Sequence, residues 1–120
     1  MPSRERVQQL IDYVQQNRIE EAMEEFYADD VVMQENLNPP MVGKAANLER
    51  ERAFFGAIRV HQNRAASVVV DGDRSTINWI FEFTGPDGVR HRTDQLAYQR
   101  WSGDRIVEER FYYDTGAAAA

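Results

Sequence analysis

Between Ser75 and Asp114 large apolar residues alternate with polar ones, and two glycine-bearing turns interrupt the pattern. No other feature restricts the chain as strongly. Ile77, Trp79, Phe81 and Phe83 recur at every second position, the period of a strand with one buried face. Gly85-Pro86-Asp87-Gly88 then turns the chain, because proline presets φ and glycine admits positive φ. A second strand is predicted from about Val89 to Trp101, and Ser102-Gly103-Asp104 reverses it. A third, Arg105 to Tyr113, sets Val107, Glu109, Phe111 and Tyr113 on one face. An antiparallel meander this aromatic needs other elements to cover it.

The first 58 residues supply the cover. Ser3 can cap a helix whose stripe is Val7, Leu10, Ile11 and Val14. Asn17-Arg18 breaks it, and Ile19, Ala22, Met23 and Phe26 form the stripe of a second helix that closes at Tyr27-Ala28-Asp29-Asp30. A short strand follows from Val31 to Asn36, with Val31, Met33 and Glu35 on one face. Asn36 to Gly43 holds Pro39-Pro40 and is predicted to be a loop. A third helix runs from Lys44 to about Ile58 with Leu48, Phe55 and Ile58 as its stripe. Glu51 falls on that stripe, an odd place for a carboxylate, and is expected to be a structural acid. A long strand, Val60 to Val70, meets the meander through Asp71-Gly72, a strong hairpin signal. Helices and strands segregate, so the fold class is α+β: a cone-shaped, strongly curved, mostly antiparallel sheet covered by three helices of the N-terminal half.

At 120 residues the chain reads as one domain over residues 1–114, with 115–120 a disordered tail. No cysteine is present, which removes disulfides and thiolate chemistry and is compatible with a reducing cytoplasm, the expected location. Twenty acidic against fourteen basic side chains, a net charge of −6, argue against nucleic acid or an anionic membrane as partner. No apolar run approaches the ~20 residues that span a bilayer, and no secretory signal opens the sequence.

Three stretches then carry a resemblance. Phe26-Tyr27-Ala28-Asp29-Asp30-Val31, Pro40-Met41-Val42-Gly43-Lys44 and Gly103-Asp104-Arg105-Ile106-Val107-Glu108-Glu109-Arg110-Phe111-Tyr112-Tyr113-Asp114 are similar, in this order, to SnoaL-like proteins of the nuclear transport factor 2-like superfamily. The superfamily includes polyketide cyclases and ketosteroid isomerases on a cone-shaped fold, and the resemblance implies that fold here. It places Glu35 where the isomerases keep a general-base carboxylate, and Tyr13 near their first-helix tyrosine. The second isomerase acid maps to about Ala97, and the Arg-x-Asp pair of the epoxide hydrolases maps to Asn78-Trp79-Ile80. This chain departs from the pattern at both places.

Strand parity gives an inward face of Ile77, Trp79, Phe81 and Phe83, then Gln95, Ala97, Gln99 and Trp101, then Val107, Glu109, Phe111 and Tyr113. This is an apolar cavity with a few polar groups, as small-molecule sites are. A bulge would instead bring Asp94 inward. Glu35 is the catalytic candidate. Beside Met33, Phe55, Trp79 and Phe81 its pKa is expected to rise, suiting it to take a proton from carbon or to activate water. Its bland alternative is a strand-end acid bonded to backbone. Glu109 can face the ligand or pair with a neighbouring arginine. Gln95 and Gln99 can orient a ligand or satisfy each other. Tyr13, Phe111 and Tyr113 complete the expected binding set, with core packing as the competing role of the tyrosines. His61 and His91 lack acids at ligand spacing, so neither a metal nor another cofactor is expected.

Two functions follow. One is a cofactor-independent isomerase, cyclase or hydratase acting on a small apolar oxygenated molecule, with Glu35 as base. The other is a non-catalytic ligand-binding or dimeric scaffold module. The opposite face, with Ile80, Leu96, Tyr98, Ile106 and Tyr112 among charges of both signs, is expected to form a homodimer.

Overall fold

A computed structural model of the protein describes residues 2–114; the expected tail, 115–120, lies outside the described residues. Ser3 opens helix α1 (Arg4–Gln15), its hydroxyl accepting from the Arg6 amide at 3.0 Å. The helix ends where Asn17 turns left-handed (φ 61°). The amides of Asn17 and Arg18 then close on the carbonyls of Val14 and Tyr13, which satisfies the last turn's acceptors. Helix α2 (Ile19–Phe26) follows directly, and Val7, Leu10 and Ile11 of α1 pack with Ala22, Met23 and Phe26 of α2 in one buried cluster.

Strand β1 (Tyr27–Glu35) begins four residues before the sequence suggests. Ala28-Asp29-Asp30 does not end α2 in a free turn but bulges within the strand. The pairing jumps from Tyr27 opposite Ile106 to Val32 opposite Glu108. Tyr27 lies on the buried face with Val31 and Met33, at even spacing from both. The predicted loop after Glu35 also contains a short edge strand, β2 (Met41–Val42), antiparallel to β1. It starts just past Pro39-Pro40, where missing amide donors cost nothing on an edge. Helix α3 (Lys44–Gly56) leads to β3 (Arg59–Asp71), β4 (Arg74–Thr84), β5 (Arg90–Ser102) and β6 (Arg105–Tyr112).

The sheet order is β2-β1-β6-β5-β4-β3. All neighbours are antiparallel except β1 and β6, which run parallel. The fold is α+β, three helices against an open, mixed six-stranded sheet that curves as a cone. Two register details decide the inner surface. Strands β4 and β5 pair without a shift from Arg74–Arg100 to Thr84–Arg90, so Asp94 stays outside, exposed and bonded to Asn78. Between β5 and β6 a bulge after Arg100 puts Trp101 opposite Ile106. Ile106, expected on the outer strip, is therefore fully buried, and Val107, expected inside, is not.

Candidate active site

The helices cover only part of the concave face, leaving a cavity of about 400 Å³. That is ample for a small organic molecule. One half is aromatic. Phe81 and Phe83, two apart on β4, stack at 4.8 Å, and Phe54 of α3 meets Phe83 edge-on at 5.5 Å. Trp79 and Phe55 continue that wall. The other half gathers Glu35, Glu51, Glu109, Tyr27, Tyr113 and Arg50.

Glu109 lies on the floor, 2% exposed. Tyr27 donates to its Oε1 at 2.5 Å and Gln99 Nε2 donates to its Oε2 at 2.7 Å. Behind Gln99 the string continues: Ser75 Oγ contacts Gln99 Oε1 at 2.6 Å, and Trp101 Nε1 donates to Ser75 Oγ at 2.8 Å. An indole N–H can only donate. Ser75 accepts from Trp101 and sends its own proton to Gln99 Oε1, which turns the Gln99 NH₂ towards Glu109. In this arrangement Oε2 is met by a donor, and a proton on Glu109 sits on Oε1, 2.5 Å from the Tyr27 oxygen. Burial pushes this carboxyl up to about 7, the Gln99 and Tyr27 hydrogen bonds oppose the rise, and the charge of Glu51 adds to it. Tyr27 is held well above its ordinary range by burial and by the Glu109 charge.

Glu35, at the end of β1, is partly buried and accepts from the Tyr113 hydroxyl at 3.0 Å. Burial, then the Glu35 charge, raise Tyr113 to about 12, so it remains a donor. Glu51 lies 3.6 Å from Arg50 Nη2, and burial raises it despite that neighbour. The stripe position that marked it as odd in the sequence brings it to the cavity wall.

The sequence-predicted residues divide cleanly. Met33, Glu35, Phe55, Trp79, Phe81, Gln95, Gln99, Glu109, Phe111 and Tyr113 all line the cavity. Tyr13 does not. Its ring stands edge-on to Phe26 at 5.3 Å with the Arg18 guanidinium 4.2 Å over it, facing an outer cleft of acidic side chains. Glu109 has no arginine partner in the described structure, contrary to the ion pair weighed for it, because its neighbours across the sheet are Gln99 and Tyr27. Gln95 and Gln99 do not pair with each other; Gln99 is committed to Ser75 and Glu109. Tyr27, Arg50 and Thr93 also line the cavity, and sequence reasoning missed them. Among the described residues, no three His, Asp or Glu side chains are grouped to hold a metal ion, and no helix is long and apolar enough to cross a membrane.

A family model for the SnoaL-like domain matches residues 7–109. No curated protein matches significantly. Among solved structures, a Mesorhizobium loti protein given the provisional name SnoaL-like polyketide cyclase superposes with a TM-score of 0.85 at 25% identity, over 94% of this chain and 100% of that one. A ketosteroid isomerase-like protein from Catenulispora acidiphila, in complex with trimethylamine, gives 0.74 at 16% identity over 96% and 89%. An LEH-like epoxide hydrolase of M. tuberculosis gives 0.75 at 15% identity over 92% and 80%.

Proposed function

The chain belongs to the SnoaL-like domain family, and on that premise we propose that it moves a proton on a small, largely apolar, oxygenated molecule without a cofactor, as an isomerase, cyclase or hydratase. The observation that carries this reading is the Tyr27–Glu109–Gln99 arrangement. An acid that titrates at about 7, with an amide donor on one oxygen and a tyrosine hydroxyl on the other, suits general acid–base work near neutrality. Glu35, the less enclosed carboxylate, takes a proton from carbon beside a carbonyl. The C–H electron pair moves onto the carbonyl oxygen, and the Tyr27–Glu109 pair returns a proton where the new bond arrangement needs one. Tyr113 holds the Glu35 carboxylate in place through its hydroxyl. The aromatic half of the wall seats the apolar body of the molecule and keeps water from the reacting carbon.

The test needs no known substrate. Hydrogen–deuterium exchange next to the carbonyl of 2-tetralone and 2-acetylnaphthalene is followed by NMR in deuterated buffer. Catalysed exchange should fall by about 10²- to 10⁴-fold in Glu35→Gln, the usual general-base contribution. If probes that bind exchange no faster than in buffer alone, the cavity is a binding module and the enzymatic reading is wrong.

A further inference from the structure

Three buried side-chain atoms among the described residues have no hydrogen-bond partner: Asn47 Oδ1, Arg50 Nη2 and Thr93 Oγ1. Buried polar atoms are paired as a rule, so each of these needs a reason. Asn47 has a structural one. Its Nδ2 spans the carbonyls of Met41 and Gly43 and ties α3 to β2, and its oxygen is left over from that task. Arg50 and Thr93 are different, because both line the cavity.

They come from different elements. Arg50 projects from α3 at the acidic end, where its charge is felt by Glu51, Glu109 and Tyr113. Its Nη2 is 3.6 Å from the nearest Glu51 oxygen, a charge contact too long for a hydrogen bond. Thr93 projects from β5 opposite Phe81, inside the aromatic half. Trp79, Phe81 and Phe55 line the same cavity as these two atoms.

We propose that the occupant of this cavity is an uncharged molecule with two oxygens on a flat apolar body, a carbonyl held by Arg50 Nη2 and a hydroxyl or second carbonyl held by Thr93 Oγ1. This rests on the acid–base reading above and names the substrate class for it. A carbonyl suits Arg50 better than a carboxylate does. Glu35, Glu51 and Glu109 already face the same space with Arg50 as the one guanidinium among them, and a further anion would be repelled by them. Arg50 then becomes a catalytic residue. When the C–H bond breaks, negative charge develops on the carbonyl oxygen, and the guanidinium is already placed against it, with no rearrangement needed. The Glu51 contact, at 3.6 Å from the same Nη2, attracts the guanidinium without satisfying that donor.

Three probes of one shape separate the contributions: 2-ethylnaphthalene with no oxygen, 2-acetylnaphthalene with the carbonyl, and 6-acetyl-2-naphthol with both. Their affinities are read by fluorescence titration. In the wild type the carbonyl should tighten binding by about tenfold or more, as a hydrogen bond to a charged donor does, and the hydroxyl by about three- to tenfold. Arg50→Met should abolish the first step and Thr93→Val the second, each leaving 2-ethylnaphthalene affinity unchanged, which also reports an intact cavity. If Arg50→Met does not fold, the wild-type ranking and the Thr93→Val arm still decide. Equal affinity of the wild type for all three probes overturns the two-oxygen subsite and leaves the acid–base reading standing. No binding by any probe removes the cavity reading, and the subsite with it.

Discussion

Glu109→Gln should make the protein more stable at alkaline pH while removing its acid. In the folded state burial raises this carboxyl from the ordinary 4.5 to about 7. At ~1.4 kcal/mol per pH unit this corresponds to about 3 kcal/mol. The direction follows from proton counting. Between roughly pH 4.5 and 7 the folded protein keeps the proton and the unfolded chain has lost it. Stability is therefore fully present below 4.5, declines as pH rises, and is lost above about 7, where the folded protein must hold a buried carboxylate. Glutamine has the same shape and no charge. Its carbonyl can accept from Gln99 and its NH₂ can face the Tyr27 oxygen, at the cost of about 1 kcal/mol for the Tyr27 hydroxyl proton that must find another acceptor. Wild type and variant should be within about 1 kcal/mol of each other at pH 5, and the variant should be about 2 kcal/mol more stable at pH 8. Glu51 is raised in the same direction and is present in both proteins. Urea unfolding at pH 5, 6, 7 and 8, at one fixed protein concentration, measures this. A constant difference across the range would show that Glu109 does not titrate in that window, and the proton-transfer role assigned to it would fall.

Two further outcomes follow from named contacts. Trp101→Phe removes the donor at the head of the string and leaves Ser75 Oγ one bond short; it should cost about 1–3 kcal/mol and move the midpoint of the pH-dependent stability step, whereas an unmoved midpoint would show that the indole only fills space. Leu96 and Tyr112 are 45% and 42% exposed and sit opposite each other on the outer face, flanked by the Arg100–Glu108 pair. We propose a homodimer through this face, smaller than the strip read from the sequence because Ile80 and Ile106 are buried; Leu96→Glu with Tyr98→Glu should shift sedimentation to the monomer, and a monomeric wild type at micromolar concentration would refute it.

Much of the cavity was legible because a strand encodes its faces by parity. Val31, Met33 and Glu35 on β1 and the alternating residues of β4 and β5 point where their spacing says, since no shift interrupts β4–β5. Two of the errors lie at bulges. Ala28-Asp29-Asp30 has turn composition, so Tyr27 was read as the end of a helix, although it donates to an acid 82 residues away. The bulge after Arg100 exchanges Ile106 for Val107. The parallel pairing of β1 with β6 leaves no local signal, yet it brings the Tyr27 strand alongside Glu109. Helix α3 hid Arg50 for another reason. Its cavity side mixes Arg50 and Glu51 with Phe54 and Phe55, so apolar periodicity is weak, and the misplaced Glu51 was the one visible sign of a polar lining.

The string from Trp101 to Glu109 also separates a site from a packing accident. Ser75, Gln99 and Glu109 are all enclosed, beside Ile77 and Ala97, which show that the same layer of the sheet accepts apolar side chains. A buried polar group contributes little net stability when satisfied and is costly when it is not, so an apolar filling would hold this layer at least as well. A single satisfied pair can be explained as a device for strand register. A string of four groups ending at a carboxyl that titrates near neutrality and borders a cavity is more than register requires. Trp101 and Ser75 do not line the cavity, so they act on it only through Gln99. Through it they orient the amide that meets Glu109 Oε2 and leave Oε1 to Tyr27.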